Sequence, residues 1–275
     1  MTASQEMFTP PSPDILRVFQ VNGIPQRLMG GEGKSYKVGS IVFKPIITTE
    51  ESIWRAELMS SLPQKGYRLA TPVRTVDGEW VYNGWEASKF LEGSETTKRA
   101  KEKVAICRLF HTALQGFSRP DFIDAATHPW AVADRMVWGE QKLEYGERLA
   151  HTAGPLINML KPIALPNQLI HGDICGNILF HPDLDPAIID LSLYWRPADF
   201  ATAVLIVDSI VWNSENPSLL DLMENSIQMH QLLVRAALWR IKTTEESVKQ
   251  NGRGDIQDVD AFLPLIEVLK SRNTI

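Results

Sequence analysis

Residues 168–192 read QLIHGDICGNILFHPDLDPAIIDLS, and three of their side chains could do chemistry together. An apolar pair leads into His171-Gly172-Asp173. Asn177 follows four residues after Asp173 and opens the run ILF; after a polar turn, HPDLDP, a second run, AIID, ends at Asp190. Two strand-like runs joined by a polar turn bring two carboxylates and an amide to neighbouring strand ends. Phosphoryl transfer uses such a set. One carboxylate orients the attacking hydroxyl and accepts its proton, while an amide and a second carboxylate hold Mg²⁺ against the phosphates. The plainer alternative is a turn in which Asp173 and Asn177 only satisfy backbone groups.

Such a site needs a grip on a nucleotide, and LMGGEGKSYKVGSIVFKP, residues 28–45, offers one in two possible forms. GGEGKS ends like a Walker A loop, which reads G-x-x-x-x-G-K-[ST] and opens a helix. Here Leu28 stands where the first glycine belongs. Tyr36, Val38, Ile41 and Phe43 suit strands, Gly39 marks a turn, and Pro45 bars a helix. The other form is a hairpin whose turn folds over a nucleotide. Gly30, Gly31 and Gly33 would let backbone N–H groups approach phosphate oxygens with no Cβ in the way. Lys44 ends the strand IVFK among apolar neighbours, where an unpaired ammonium is costly to bury. On the helix that follows, Glu57 lies four residues after Ile53 and three after Trp54, which predicts an inward face and a pairing with Lys44. Two unrelated surface charges are the competing reading of that pair.

These residues must be positioned by a chain of 275 residues, 44% hydrophobic and with a net charge of −5. That is enough for two unequal lobes with separate cores. The charges are interspersed, which argues against a nucleic-acid footprint. The two cysteines, Cys107 and Cys175, provide neither a disulfide framework nor a four-cysteine zinc site. No apolar run approaches the ~20 residues of a membrane span, and the N-terminus lacks the apolar core of a signal peptide, so a cytoplasmic protein without membrane contact is expected. Residues 1–13 read as a loose arm. Short β-like runs fill 26–46, a capping-box helix starts at Thr48-x-x-Glu51, and RLATPVRTV and EWVYNGWEASKFLEG read as strands joined at Asp77-Gly78. Helical patterns then cover 95–117, 128–160, 201–212, 218–248 and 257–272, interrupted by one β-rich island at 167–192. The expected organisation is α+β: an N-terminal nucleotide-binding lobe at 1–92, and a helical lobe at 93–275 holding the catalytic hairpin 167–192.

The island resembles the Brenner-type motif of the aminoglycoside phosphotransferase and choline kinase-like family, which has the protein-kinase-like fold. That motif reads H-G-D-x-x-x-x-N followed by an apolar strand ending in I-D. The resemblance implies Asp173 as catalytic base, Asn177 and Asp190 as Mg²⁺ ligands, and His171 as a brace for the loop. It further implies Gly30, Gly31 and Gly33 as nucleotide loop, Lys44 and Glu57 as phosphate grip, and Glu86 to Phe90 as a hinge. There the backbone, at Ala87 and Lys89, holds adenine. Asp199-Phe200-Ala201 is similar to the family's D-L-A, whose aspartate supports the catalytic loop. ATP or GTP with Mg²⁺ would be the cofactors, a small-molecule hydroxyl the acceptor, and a monomer or homodimer the assembly. The match spans roughly residues 26–205. It departs from the family at the Asp173–Asn177 loop, one residue shorter than usual, and after Asp190, where Leu191-Ser192 replaces the frequent W-G. A catalytically silent nucleotide-binding protein on this fold, or a nucleotide-transferring enzyme, are the rival readings. Two stretches remain open as linings for the acceptor: HPWAVADRMVWGEQ, with Asp134, Arg135, Trp138 and Glu140, and Tyr194-Trp195-Arg196-Pro197.

Overall fold

The computed structural model describes residues 9–29, 33–252 and 255–272, so Gly30, Gly31 and the first eight residues of the expected arm lie outside the described residues. The chain divides into two compact units. One comprises residues up to Ser94 plus Leu179–Ile189; the other comprises Glu95–Ile178 and Asp190 onward.

In the first unit, helix α1 (Pro13–Val18) is opened by Ser12, whose hydroxyl accepts the Ile15 N–H at 3.4 Å. Strands β1 (Gln26–Arg27), β2 (Tyr36–Val38), β3 (Ile41–Pro45), β5 (Val81–Tyr82) and β6 (Trp85–Lys89) form an antiparallel sheet in the order β1-β2-β3-β6-β5. Helix α2 (Thr49–Ser61) follows β3 and starts as its sequence dictates: the Thr48 hydroxyl accepts the Glu51 N–H at 3.2 Å. Ile15, Leu16, Phe19, Val38, Phe43 and Ala87 make the core, with Phe19 edge-on to Phe43 at 5.6 Å. The tight hairpin turn is not at Asp77-Gly78. It is at Asn83-Gly84, between β5 and β6, where both residues have positive φ (46° and 79°), as a two-residue turn with the twist of its strands requires. Asp77-Gly78 instead closes a local loop, with Gly78 N–H bonded to the Thr75 carbonyl.

The island at 167–192 is not one hairpin within the helical unit. Strand β9 (Ala187–Ile188) pairs in parallel with β4 (Arg68–Leu69), which puts residues 179–189 with the N-terminal unit. Its flanks belong to the helical unit. There β7 (Gln168–His171) pairs antiparallel with β10 (Leu193–Arg196), His171 opposite Leu193.

The helical unit is built on α3 (Ala100–Ala113), α4 (Phe122–Ala125), α5 (Pro129–Val137), α6 (Ala153–Met159), α7 (Ala198–Val211), α8 (Ile227–Asn251) and α9 (Leu263–Arg272). The expected helix at 128–160 is broken: Gly139, with φ of 78°, follows the end of α5, and irregular chain runs from there to a 3-10 turn at Glu147–Leu149 before α6. Helices α7 and α8 are buried almost all round over their central turns, the pattern of elements inside a bundle. Trp239 sits at their centre, packed on Tyr194 (5.0 Å) and Phe200 (5.7 Å), with its indole N–H donating to the Trp130 carbonyl. Among the described residues no helix is long and apolar enough to cross a membrane.

Candidate active site

In the N-terminal unit, β1 and β2 flank the glycine loop, with the Leu28 N–H bonded to the Ser35 carbonyl at 2.9 Å. A strand follows the loop, so the helix-opening form of GGEGKS is excluded. Gly33 has φ of +67°, and its carbonyl accepts the Arg27 Nε–H at 2.7 Å. A Cβ at Gly33 would meet the Arg27 guanidinium at 2.6 Å.

Lys44 on β3 lies directly opposite Glu86 on β6, and directly opposed residues of an antiparallel pair share a face. Arg55 of α2 reaches the same place and grips both Glu86 oxygens, at 2.8 and 2.9 Å, while also bonding Glu51 at 3.2 Å. Burial is the largest influence on Lys44 and lowers its pKa to about 8; Glu86 pulls it up and Arg55 pushes it down. Glu51 is raised, chiefly by burial and against the pull of Arg55. Glu57 takes no part in this cluster. It is exposed, because α2 turns Ser52, Ala56 and Leu58 inward with the Glu51–Arg55 stripe, leaving position 57 on the outer side. A carboxylate that acts on Lys44 comes instead from the neighbouring strand, at Glu86. A glutamate-to-arginine step of four residues on α2 was the available sequence signal.

The hinge assignment also moves. Ala87 and Lys89 lie inside β6, where the Ala87 carbonyl accepts from the Val73 N–H and the Lys89 N–H donates to the Thr71 carbonyl, each at 2.8 Å. Those two groups are consumed by the sheet and do not serve a base. Chain that has left the strand starts only at Phe90, and Ser94 exchanges both backbone hydrogen bonds with Phe180 at 2.9 Å.

In the helical unit, the β7–β10 ladder fixes the loop that carries Asp173. Gly172 N–H bonds the Ser192 carbonyl at 2.9 Å, and His171 Nδ1 accepts from both the Asp173 and Ser192 N–H groups at 3.3 Å. His171 is fully buried and its own N–H donates to His111 Nε2 at 3.0 Å. His111 Nδ1 lies 2.6 Å from the Cys107 carbonyl; that contact fixes the tautomer, since Nε2 must then accept. Burial holds His111 neutral, its pKa lowered to about 4. A Cβ at Gly172 would lie 2.5 Å from the Tyr194 ring and 3.0 Å from Trp239, so the glycine is a packing requirement.

The loop after Asp173 is closed on itself. Asn177 Nδ2 donates to the Asp173 carbonyl at 2.6 Å and lies 3.4 Å from Oδ2, so the amide spends its donor, not its acceptor Oδ1, on the loop. Asp190 is exposed and has φ of 51°, a left-handed conformation that a non-glycine residue holds only under constraint from its surroundings. It stands three residues before β10, and Asp173 stands two residues after β7, the strand that β10 pairs with.

Two helices supply partners that the motif does not contain. Arg240 of α8 donates from Nη2 to Asp173 Oδ1 at 2.7 Å and binds Asp208 of α7 through Nε–Oδ1 (2.9 Å) and Nη2–Oδ2 (2.6 Å). Lys103 of α3, fully buried, donates to the Cys175 carbonyl at 2.7 Å. Burial pushes the Asp173 carboxyl upward, but Arg240, His171 and the hydrogen bonds from Arg240 and Asn177 outweigh it and hold the pKa below the usual value. Asp208 is raised by burial. Asp199, expected from the resemblance to support the loop, acts electrostatically on Cys107; Asp208 is tied to the loop through Arg240. A lone carboxylate in AVLIVDSIVW and a lone arginine in AALWRI were the signals, since charges in buried apolar runs need each other.

The stretches read as acceptor linings have structural duties. Arg196, buried on β10, grips both Asp134 oxygens and reaches Glu140 at 2.5 Å, with its guanidinium 4.9 Å from the Trp138 ring. Cys175 is buried beside Ser209, its thiol pushed up to about 11 by burial and by Asp208, so it is a packing residue. Among the described residues no group of three or more His, Cys, Asp or Glu side chains could hold a metal ion. Mg²⁺ does not demand such a cage, since it keeps several waters and needs few protein oxygens. Asn177 Oδ1 and the exposed Asp190 carboxylate are hard oxygen donors of the fitting kind.

No protein-family model and no curated protein sequence matches the chain. Solved structures do. A spectinomycin phosphotransferase in complex with ADP and spectinomycin aligns with a TM-score of 0.56 at 16% identity, covering 100% of this chain and 99% of that one. Aminoglycoside phosphotransferase APH(4)-Ia aligns at 0.60 and 13% identity, over 94% and 97% of the two chains. A choline kinase from Streptococcus pneumoniae aligns at 0.61 and 12%, over 94% and 97%. The chain thus has the α+β kinase-like fold of these small-molecule phosphotransferases.

Proposed function

We propose that the protein transfers the γ-phosphoryl group of ATP or GTP to a hydroxyl of a small molecule. The observation that carries this reading is the Asp173 carboxylate, ionised at neutral pH, held by Arg240 and more loosely by Asn177, two residues after β7, whose partner strand β10 starts three residues after Asp190. Asp173 orients the acceptor hydroxyl and takes its proton. The acceptor oxygen then forms the new bond to the γ-phosphorus as the bond from that phosphorus to the β–γ bridging oxygen breaks, and the electron pair leaves on the nucleoside diphosphate. Lys44 would neutralise phosphate charge from β3, and the glycine loop that ends at Gly33 would offer backbone N–H groups. Asn177 Oδ1 and Asp190 would hold Mg²⁺, which when bound screens the charge on the β- and γ-phosphates. Neighbours of this fold include structures with ADP or AMP-PNP and with spectinomycin or hygromycin B, which supports a nucleotide and a hydroxyl-rich acceptor as ligands. Supplied with nucleotide in the cytoplasm, the protein would need neither nucleic acid nor membrane.

The test is turnover with Mg²⁺ and ATP or GTP across aminoglycosides, sugars, amino alcohols and nucleosides. Acceptor-dependent nucleoside diphosphate that is lost in Asp173→Asn supports the proposal. Release of AMP or pyrophosphate instead would make the protein a nucleotidyl transferase, and nucleotide binding without any product would make it a silent binder.

A further inference from the structure

Asp173 sits in the turn after β7 with 47% of its side chain exposed, so its own segment holds the carboxyl rotation only weakly. Asn177 reaches Oδ2 only at 3.4 Å and spends its better bond on the Asp173 carbonyl. The strong contact is Arg240 Nη2 on Oδ1, delivered from a buried turn of α8. An arginine alone beside a catalytic carboxylate would neutralise it and weaken it as a base. Here Asp208, buried on α7, takes the Nε and Nη2 protons of the same guanidinium as a two-point fork, so the three charges sum to one negative charge. On the far side of the loop, Lys103 pins the Cys175 carbonyl.

We propose that Arg240 is the positioning residue of the Asp173 carboxylate. It fixes Oδ1 and so leaves Oδ2 to receive the acceptor proton, while Asp208 aims the guanidinium and cancels its charge. The chemical consequence rests on the phosphoryl-transfer reading above; the positioning does not.

Two measurements on the full chain separate them. In nitrogen-15 NMR of the guanidinium without nucleotide, Asp173→Asn should move the Arg240 Nη2 proton signals and leave the Nε signal, bonded to Asp208, in place. Unmoved Nη2 signals overturn the proposal. In the second, ADP release from Mg·ATP is followed with water as the acceptor. Arg240→Gln/Asp208→Asn, which removes both buried charges together, should lower kcat by about tenfold to a hundredfold with KM for ATP unchanged, as expected for a displaced reacting group. Arg240→Lys, which keeps the charge and loses the fork, should show the same split and serves if the double variant does not fold. A kcat within twofold of wild type in either folded variant overturns the proposal. A wild-type protein that turns over no acceptor defeats the phosphoryl-transfer reading, and the NMR result then decides the positioning alone.

Discussion

Lys44 offers a quantitative test of the nucleotide grip, because its ammonium titrates within an accessible range. Its pKa is lowered from 10.5 to about 8 by burial, which outweighs the pull of Glu86 and is aided by Arg55. Glu51, also held by Arg55, is a further titratable group of the cluster. If only the charged form grips phosphate, the apparent Kd grows with the deprotonated fraction. That fraction is about one-tenth at pH 7 and about nine-tenths at pH 9, so affinity for ATP should fall about tenfold between them. The same shift acts oppositely on the nucleotide-free fold. A lysine whose folded pKa lies below its unfolded value leaves the unfolded chain holding more protons between pH 8 and 10.5, so stability gains from this residue as pH rises through that window.

Calorimetric titration with ATP at pH 7, 8 and 9, beside urea unfolding at pH 8 and 10, measures both. Lys44→Arg, charged throughout, should bind with pH-independent affinity, and Lys44→Met should remove both dependences. Flat wild-type affinity over this range would refute the reasoning. So would nucleotide binding that survives Lys44→Ala and is abolished by Lys34→Ala, which would move the grip into the glycine loop.

Arg240→Met should destabilise the protein by about 3–5 kcal/mol in urea unfolding, since it leaves the buried Asp208 charge uncompensated; Arg240→Met/Asp208→Leu should recover most of that loss. Glu86→Gln, which strips Arg55 of its bidentate partner and Lys44 of its neighbouring negative charge, should weaken ATP binding above pH 7, whereas exposed Glu57→Gln should change stability by less than about 0.5 kcal/mol and binding not at all. Gly172→Ala should cost about 1–3 kcal/mol in thermal or urea unfolding, because its methyl group must displace the Tyr194 and Trp239 rings that back the loop.

Much of the proposed site was legible in the chain itself, because it depends on local order. The run from His171 to Asp190 sets which carboxylates and amide share a short segment, and β-branched residues with Gly39 and Pro45 rule out a helix after the glycine loop whatever the rest of the chain does. The α+β organisation follows from the switch between two-residue and 3.6-residue periodicity. Registers and partners were decided elsewhere. Glu57 and Glu51 have equal claims by spacing until packing chooses which stripe of α2 turns inward, and Ala87 looks like hinge until β6 is paired on both sides. The turn settled at Asn83-Gly84 although Asp77-Gly78 carries a similar local signal, since cross-strand pairing selects between them. The largest gap was Arg240, 67 residues after Asp173. Its meeting with Asp173 and Asp208 depends on how α7 and α8 pack. Sequence can show that a buried charge must have a partner, but only the tertiary structure determines which one, because that choice is made by long-range packing and leaves no local pattern.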